Sequence, residues 1–483
     1  MEKILQGVAS VEKGRRLPSV VNSAKCLLSN GVKNIYLVGI GGIGMSGLAL
    51  LLKNRGFNVK GSDIKENNAV RMLQKEGIEV FIGHRPEQIS LDTHLLSYSS
   101  AVGKDNVELL EAEKKGIPVL KRGKLLEYLC RDKKAIAVGG SHGKTTTTAL
   151  LSYLLNSLGY EPAVFVGGLP LNYSCNARWG KDHFVIETDE SDGSFLEFFP
   201  WVSIITNIDY EHLEYYRTIE RLEESFLQFA YQTKEKVLGC ADDPIVKNVL
   251  AKVNGLSFGW GKENKIRGVN FSFTGGSSCF ELFINDKFAG SVKIPLLGEY
   301  NCLNALAVLA FFYYLGEDLE KVIGSLKNFK GTQRRFQVKE IFRGVTFVDD
   351  YAHHPTEIEA VLKAAQSLAP KRLFVIFQPH RFSRVKLLSE KFSRCFQKTT
   401  ELIITDIYSA CEKEIEGIDE NFLYSQIKKN FSGRIRYIPK DKLESVVPLC
   451  LKEGDLVLGL GAGDINILME NIVHEFKSNS IKA

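Results

Sequence analysis

The sequence predicts an α/β protein of three domains: a Rossmann-like domain, a central P-loop-type domain with a β-hairpin insertion, and a C-terminal Rossmann-like domain. Three observations carry this. Short apolar runs of strand length recur along the chain. Each closes in glycine, acidic or other polar residues and gives way to a helical pattern, the rhythm of a doubly wound sheet. Two of them pass into glycine-rich turns that open onto helices, at residues 34–52 and 133–155. Residues 255–295 instead alternate apolar and polar around Gly-Gly and Asn-Asp turns, the pattern of β-hairpins. A chain of 483 residues makes three domains at ~150 residues each. The predicted boundaries are 1–122, 123–332 and 333–483.

Residues 1–33 read as a polar helical lead-in. Residues 35–38 form a buried strand, and Gly39, Gly41 and Gly44 then fit G-x-G-x-x-G before a helix. A second strand ends in Asp63, where a ribose-binding carboxylate falls in dinucleotide folds. Alone, this points to a dinucleotide, although such a loop cradles the diphosphate of any nucleotide. Turns at Gly83-His84 and Ser99-Ser100 extend the sheet to about Arg122.

The central domain opens on residues 136–138, a buried strand, followed by the turn Gly139-Gly140-Ser141-His142-Gly143-Lys144-Thr145. A helix follows with Leu150, Leu151, Leu154 and Leu155 on one face. Strand, glycine turn and helix aim backbone N–H groups and a helix N-terminus at one anion. Lys144 adds a point charge for outer phosphates, and the Thr145 hydroxyl suits Mg²⁺. Val138 stands where the first glycine of G-x-x-x-x-G-K-[ST] belongs, so the loop is a shortened one. The bland alternative is an ordinary strand-to-helix turn with a surface lysine.

The strand at 184–186 runs into Glu187, Asp189, Glu190 and Asp192, and the strand at 202–206 into Asn207, Asp209, Glu211 and His212. Acids at strand carboxyl ends point into the ligand crevice of an open α/β sheet. With the phosphate loop they suggest a metal–ATP site. The alternative for Glu190 and Asp192 is a solvated helix N-terminus. Residues 297–301 are predicted to cap an apolar helix at 303–315. In the last domain, strands at 345–348, 373–377, 402–405 and 455–460 end respectively in Asp349-Asp350, in Gln378 to Arg384, in Asp406 and in Gly461 to Asp464. Their carboxyl ends form a second active edge.

Net charge is +5, from 62 basic and 57 acidic residues without a concentrated basic run, which argues against a nucleic-acid partner. The nine cysteines are scattered with no C-x-x-C pair, so neither a zinc site nor a disulfide framework is expected, and a reducing compartment fits. The first residues lack the apolar core of a signal peptide. The longest apolar stretch, 305–315, falls short of the ~20 residues that span a bilayer. These features predict a cytoplasmic location without membrane insertion.

The stretches GIGGIGMSGLA (39–49), SHGKTTTT (141–148), ETDESD (187–192), TNIDYEHLEYY (206–216), GTQRRF (331–336), DDYAHHPTE (349–357), QPHRFSR (378–384) and LGAGDI (460–465), in this order, resemble the Mur ligases of peptidoglycan synthesis. The resemblance runs from Asn34 to about Ile467 and points to the L-alanine-adding branch. It implies that the first domain holds the UDP of a sugar nucleotide rather than NAD. Gly41, Gly42, Ile43 and Gly44 would cradle the diphosphate, Asp63 would lie near the uridine, and His84, Ser99 and Ser100 near the sugar. Ser141, His142, Gly143, Lys144, Thr145, Thr146 and Thr147 would bind ATP. Thr145 and Glu187 would hold one Mg²⁺ and His212 a second, with Mn²⁺ able to replace either. Asn301 would contact adenine, and Arg335 and Asp350 would reach ATP from the last domain. His380, Arg381 and Arg384 would meet the amino acid, with Tyr351 and His353 close by.

The implied reaction activates the lactyl carboxylate of UDP-N-acetylmuramate as an acyl phosphate, with release of ADP. The amine of L-alanine then attacks and phosphate leaves. Lys144, His212 and Arg335 would act on the phosphoryl group, and either His353 or His380 would be the base. Three departures stand out against the resemblance: Ser141 for the commoner Thr, Tyr300 for the usual His, and Glu211 for the commoner Asp. No lysine lies between 210 and 230, so the modified lysine of several sister ligases is not expected. A monomer or weak homodimer is expected. The competing readings are a recycling ligase that adds a tripeptide to the same sugar nucleotide, an NAD-dependent oxidoreductase, and a non-catalytic nucleotide-binding scaffold.

Overall fold

The computed structural model describes residues 31–482 apart from 174 and 411. The lead-in expected at 1–33 therefore lies almost wholly outside the described residues. Among the described residues, three sheets of five, ten and six strands follow one another along the chain. The chain divides into two compact units, the first ending at Arg122 and the second beginning at Gly123.

The first unit holds β1 (Asn34–Val38), β2 (Asn58–Asp63), β3 (Glu79–Ile82), β4 (Leu95–Tyr98) and β5 (Val119–Lys121). They pair in parallel in the order β3-β2-β1-β4-β5. Central β1 buries Ile35 to Val38 without alternation, as a parallel strand covered on both faces requires. Strand order reverses between β1 and β4, and a ligand crevice belongs at their carboxyl ends. The glycine turn at 39–44 lies at that edge.

The central sheet contains β6 (Lys134–Gly139), β7 (Ala163–Phe165), β8 (Ala177–Arg178), β9 (His183–Glu187), β10 (Val202–Ile205), β11 (Lys236–Cys240), β12 (Leu256–Gly259), β13 (Ile266–Thr274), β14 (Ser277–Ile284) and β15 (Lys287–Ile294). Their order is β15-β14-β13-β12-β11-β10-β6-β9-β7-β8. β6 lies between β10 and β9, parallel to both, so three functional strand ends share one edge. The expected hairpins are present as β13 to β15. They continue the same sheet, because β12 pairs β13 in parallel before the antiparallel meander begins. The helix Glu299–Leu315 is apolar on nearly every face and correspondingly buried, packing against the phosphate-loop helix Lys144–Ser157 and the hairpin strands. It starts four residues, about one turn, earlier than predicted. Gly298, at φ +99°, precedes its first residue, and Tyr300 and Asn301 belong to the first turn rather than to a cap.

The last sheet contains β16 (Gln337–Phe342), β17 (Val345–Asp350), β18 (Arg372–Phe377), β19 (Glu401–Ile404), β20 (Arg434–Tyr437) and β21 (Asp455–Leu460), ordered β16-β17-β21-β18-β19-β20. Only the β16–β17 pair is antiparallel. β17 includes Asp349 and Asp350, so these acids belong to the strand itself.

Candidate active site

The phosphate loop is shaped by two glycines and strapped to the end of β10. Gly140 has φ +127°, and a Cβ there would fall 2.2 Å from Thr206 Oγ1. Gly143, at φ +84°, caps the helix Lys144–Ser157, and its Cβ would fall 2.4 Å from Asn304 Oδ1. Ser141 N donates to Asn207 O (2.9 Å) and His142 N to Asn207 Oδ1 (2.9 Å). In return, Thr206 Oγ1 and Asn207 Nδ2 donate to His142 O (2.6 and 3.0 Å). The first-turn N–H groups of the helix are left for a ligand, as at any helix start.

Lys144 is drawn back along the loop. Its Nζ donates to Ser141 O (3.0 Å) and Glu190 Oε1 (2.8 Å). Burial works against its charge, but Glu190 more than compensates and the ammonium is held above its ordinary pKa. Glu190 is 3% exposed, which rules out the solvated helix-start reading for this residue. The short helical turn begins only at Ser194. Burial pushes its carboxyl up, opposed by Lys144. Glu190 is a site residue that strand-end reasoning reached without assigning.

Two groups fit a hard divalent cation. Thr145 Oγ1 donates to Glu187 Oε1 at 2.9 Å, placing a hydroxyl and a carboxylate side by side at the loop. Glu190, Glu211 and His212 bring ligand atoms within 4.8 Å of one another, and Glu190 Oε2 is a buried oxygen without a hydrogen-bond partner. Oxygen-rich donors of this kind suit Mg²⁺. His212 is held in the left-handed region, at φ +58°.

Beside the loop, between the central and last sheets, lies a cavity of about 530 Å³. Its walls include His142, Gly143 and Thr146 on one side, apolar Phe258 and Leu303 behind, and Tyr300, Arg335 and Val361 opposite. Its size and mixed lining suit a small-molecule site. Asn304 lines it but Asn301 does not. Asn301 Nδ2 donates to Leu297 O (2.7 Å), and its Oδ1 accepts from Asn304 Nδ2 (3.1 Å). The early helix start turns the Asn301 amide, expected near adenine, inward toward Leu297 and Asn304. Asp350 lines the cavity, with both carboxylate oxygens accepting from backbone, at Phe336 N (2.6 Å) and Ala352 N (2.7 Å). Burial raises its pKa to about 6 against the pull of Arg335. Arg335 itself reaches Thr145 Oγ1 at 3.5 Å.

Glu357, unassigned from sequence, is the hub joining the two halves. Its Oε1 lies 3.4 Å from His142 Nδ1 and 3.9 Å from Arg335 Nη1. Its Oε2 accepts from His353 N at 3.2 Å. On the other side of the ring, His142 Nε2 meets Asp209 Oδ2 at 3.1 Å. Burial alone would discharge His142, but Asp209 and Glu357 outweigh it and raise its pKa to about 10. The only sequence signal for Glu357 was its position three residues into the turn after His354, at a helix start.

Further along the last sheet, rings gather. His353 lies between Tyr351 and His380, with centroid distances of 5.2 and 5.6 Å, and His380 stacks on Tyr408. Arg384 Nη1 donates to His380 Nδ1 (2.9 Å). Burial first, then Arg384 and Arg381, lower His380 to about 3, and burial holds His353 well below its ordinary value. Burial thus favours the neutral form of both rings. Each neutral ring can accept a proton. Arg381 departs from the expected cluster. Its Nη1 faces Glu412 (3.9 Å), its side chain is 42% exposed, and its backbone, at φ +68°, turns it outward.

In the first unit, Gly41 N donates to Asp63 Oδ2 (2.8 Å), so Asp63 holds the glycine turn. A Cβ at Gly44 would fall 2.3 Å from Arg122 Nη1, which makes Arg122 an unpredicted cation at the turn. Ile43 is exposed at the tip. His84 Nδ1 lies 2.8 Å from Glu108 Oε2, and this fully buried carboxylate also accepts from Ser62 Oγ (2.6 Å) and Tyr36 Oη (2.8 Å). Ser99 and Ser100 follow β4 at the same edge. A larger cavity of about 1050 Å³ lies beside Asn34 and Asn58, at the amino ends of the strands. That is the wrong edge of a parallel sheet for its ligand crevice.

Comparison with known proteins follows the same three-part division. Residues 34–134 match the catalytic domain of the Mur ligase family, 138–312 its middle domain, and 334–463 its glutamate ligase domain. The chain is 40% identical over 452 residues to a UDP-N-acetylmuramate–L-alanine ligase of Caldanaerobacter subterraneus, covering 92% of this chain and 98% of that one. It superposes on the UDP-N-acetylmuramate–alanine ligase of Thermotoga maritima with a TM-score of 0.81 at 32% identity, covering 92% and 99% of the two chains. A murein peptide ligase of Psychrobacter arcticus shares the fold, with a TM-score of 0.68 at 21% identity over 92% and 98%.

Proposed function

The chain belongs to the Mur ligase family, and on that premise we propose that it joins L-alanine to the lactyl carboxylate of UDP-N-acetylmuramate, consuming ATP, in peptidoglycan precursor synthesis. The observation that carries the chemistry is the shortened phosphate loop. In it, Lys144 and the Thr145–Glu187 pair meet Arg335 of the last sheet beside a cavity of about 530 Å³. The amino-acid partner is carried by relatives 40% identical over nearly their whole length. An NAD-dependent oxidoreductase or a passive scaffold has no use for this loop.

A carboxylate is a poor electrophile, so it must first be phosphorylated. Its oxygen attacks the γ-phosphorus of ATP and ADP departs. Lys144 and the helix N-terminus neutralise the transferring charge, and Arg335 meets it from the opposite side. Thr145 and Glu187 would hold one Mg²⁺, and His212 with Glu190 and Glu211 a second. These ions supply charge neutralisation on phosphate oxygens. The neutral amine of alanine then attacks the acyl carbon and phosphate leaves. His353 or His380 takes the amine proton, and Arg384 clamps the alanine carboxylate. Gly41 to Gly44, with Arg122, would bind the UDP diphosphate. We place the domain boundaries near residues 122 and 332. The absence of a membrane-crossing helix among the described residues and the scattered cysteines support a cytoplasmic enzyme, working as a monomer or weak homodimer.

The decisive test is phosphate release with UDP-N-acetylmuramate, ATP and Mg²⁺, comparing L-alanine, glycine and the tripeptide of the recycling reaction. Release that depends on L-alanine and on all three components supports the assignment. Preference for the tripeptide moves the chain to the recycling branch.

A further inference from the structure

We propose that His142, His354 and Glu211, with Asp209 at its edge, form a site for a divalent transition metal of the zinc class, adjoining the second Mg²⁺ position through Glu211. His354 is the first sign. It is 1% exposed, and no side chain hydrogen-bonds either ring nitrogen among the described residues. A buried imidazole short of partners costs desolvation that only a partner can return. What surrounds it is a set of ligands. His354 Nδ1 lies 3.5 Å from Glu211 Oε1 and 3.7 Å from Asp209 Oδ2. Asp209 Oδ2 lies 3.1 Å from His142 Nε2. Ligand atoms of His142, Glu211 and His354 all fall within 4.8 Å of one another.

Tetrahedral zinc with bonds of ~2.1 Å sets its ligand atoms about 3.4 Å apart. Three of the separations, at 3.1, 3.5 and 3.7 Å, lie near that value. The supports are in place as well. Glu357 Oε1 lies 3.4 Å from His142 Nδ1, the nitrogen facing away from the site, as in carboxylate–histidine–metal triads. Thr356 Oγ1 donates to Asp209 Oδ2 at 2.9 Å, fixing the carboxylate. Two imidazoles with a carboxylate favour Zn²⁺, Co²⁺ or Ni²⁺ over Mg²⁺, which prefers oxygen alone. Glu211 serves as the border with the neighbouring group, since its Oε2 faces His212 Nε2 at 3.8 Å. A metal held here would tie the phosphate loop, the end of β10 and the helix Pro355–Gln366 of the last sheet into one piece.

The test uses the full chain with Co²⁺ as probe and Mg²⁺ in excess. Crystals soaked in CoCl₂ are expected to show an anomalous peak between His142 Nε2 and the His354 ring. No peak, or peaks only beside His212 or Thr145, would overturn the site. In solution, titration followed by Co²⁺ visible absorption is expected to lose one equivalent in His354→Ala and in His354→Gln, with circular dichroism confirming that the variants are folded. Equal stoichiometry in wild type and both variants would also overturn it.

Discussion

Lys144 Nζ sits 2.8 Å from Glu190 Oε1, in a pair whose side chains are 15% and 4% exposed. The Lys144 ammonium is thus held by an acid of the neighbouring strand end. Removing it leaves a buried carboxylate facing little positive charge. Lys144→Ala is expected to lose about 1–3 kcal/mol of stability and to slow turnover by ~10²–10³-fold. Adding Glu190→Gln should restore melting temperature but not phosphate release. A wild-type melting point for the single variant would show that the pair contributes no stability.

Gly143→Ala tests the loop's shape. The new methyl would need a left-handed backbone and would press into Asn304 Oδ1 at 2.4 Å. Strain of this kind costs about 1–3 kcal/mol. The Asn304 side chain would have to leave Thr147 Oγ1, which donates to it at 3.2 Å. Expected are a lower melting temperature and a raised KM for ATP, with KM for alanine unchanged.

Arg384 and Arg381 should separate in kinetics. Arg384 belongs to the His353–His380 cluster, whereas Arg381 faces Glu412 and solvent. Losing a charge-assisted hydrogen bond costs about 1.5–3 kcal/mol, so Arg384→Ala should raise KM for L-alanine by roughly 10–100-fold. Arg381→Ala should stay within about threefold. Equal effects would place both guanidinium groups on the amino acid.

His380 gives a pH signature. Its pKa is lowered from 6.5 to about 3 on folding. Between these values the unfolded chain binds a proton that the native protein refuses, so stability falls as pH drops from about 6.5 toward 3 and gains nothing from His380 above 6.5. His380→Gln should flatten the acid side of a plot of urea midpoint against pH. An unchanged slope would mean that the ring is not discharged in the native state.

Much of this was legible in the sequence. Parallel strands buried on both faces announce themselves as unbroken apolar runs, and their carboxyl ends delivered Glu187, the 207–212 segment and the His380 region. The strand ends could not say which acid turns inward. Glu190 and Asp192 look alike in sequence, and only the first is enclosed, with Lys144 on its carboxylate and Tyr216 on its carbonyl. Asn301 and Asn304 are likewise indistinguishable until the helix start at Glu299 fixes their directions. Glu357 and Asp209 meet through His142 across 148 residues of chain, counted from 209 to 357, and no local pattern encodes that pairing. Antiparallel β16 was missed because its residues alternate without a buried face.

The central sheet ends on one side in β15, which carries the exposed Lys287 and Lys293. An open border offers its free amides to any passing strand, and like charges along it make a second copy a poor guest. A sheet this wide can therefore stay unfused at high concentration. Replacing Lys287 and Lys293 with threonine should expose the chain to fibre growth along the hairpin border.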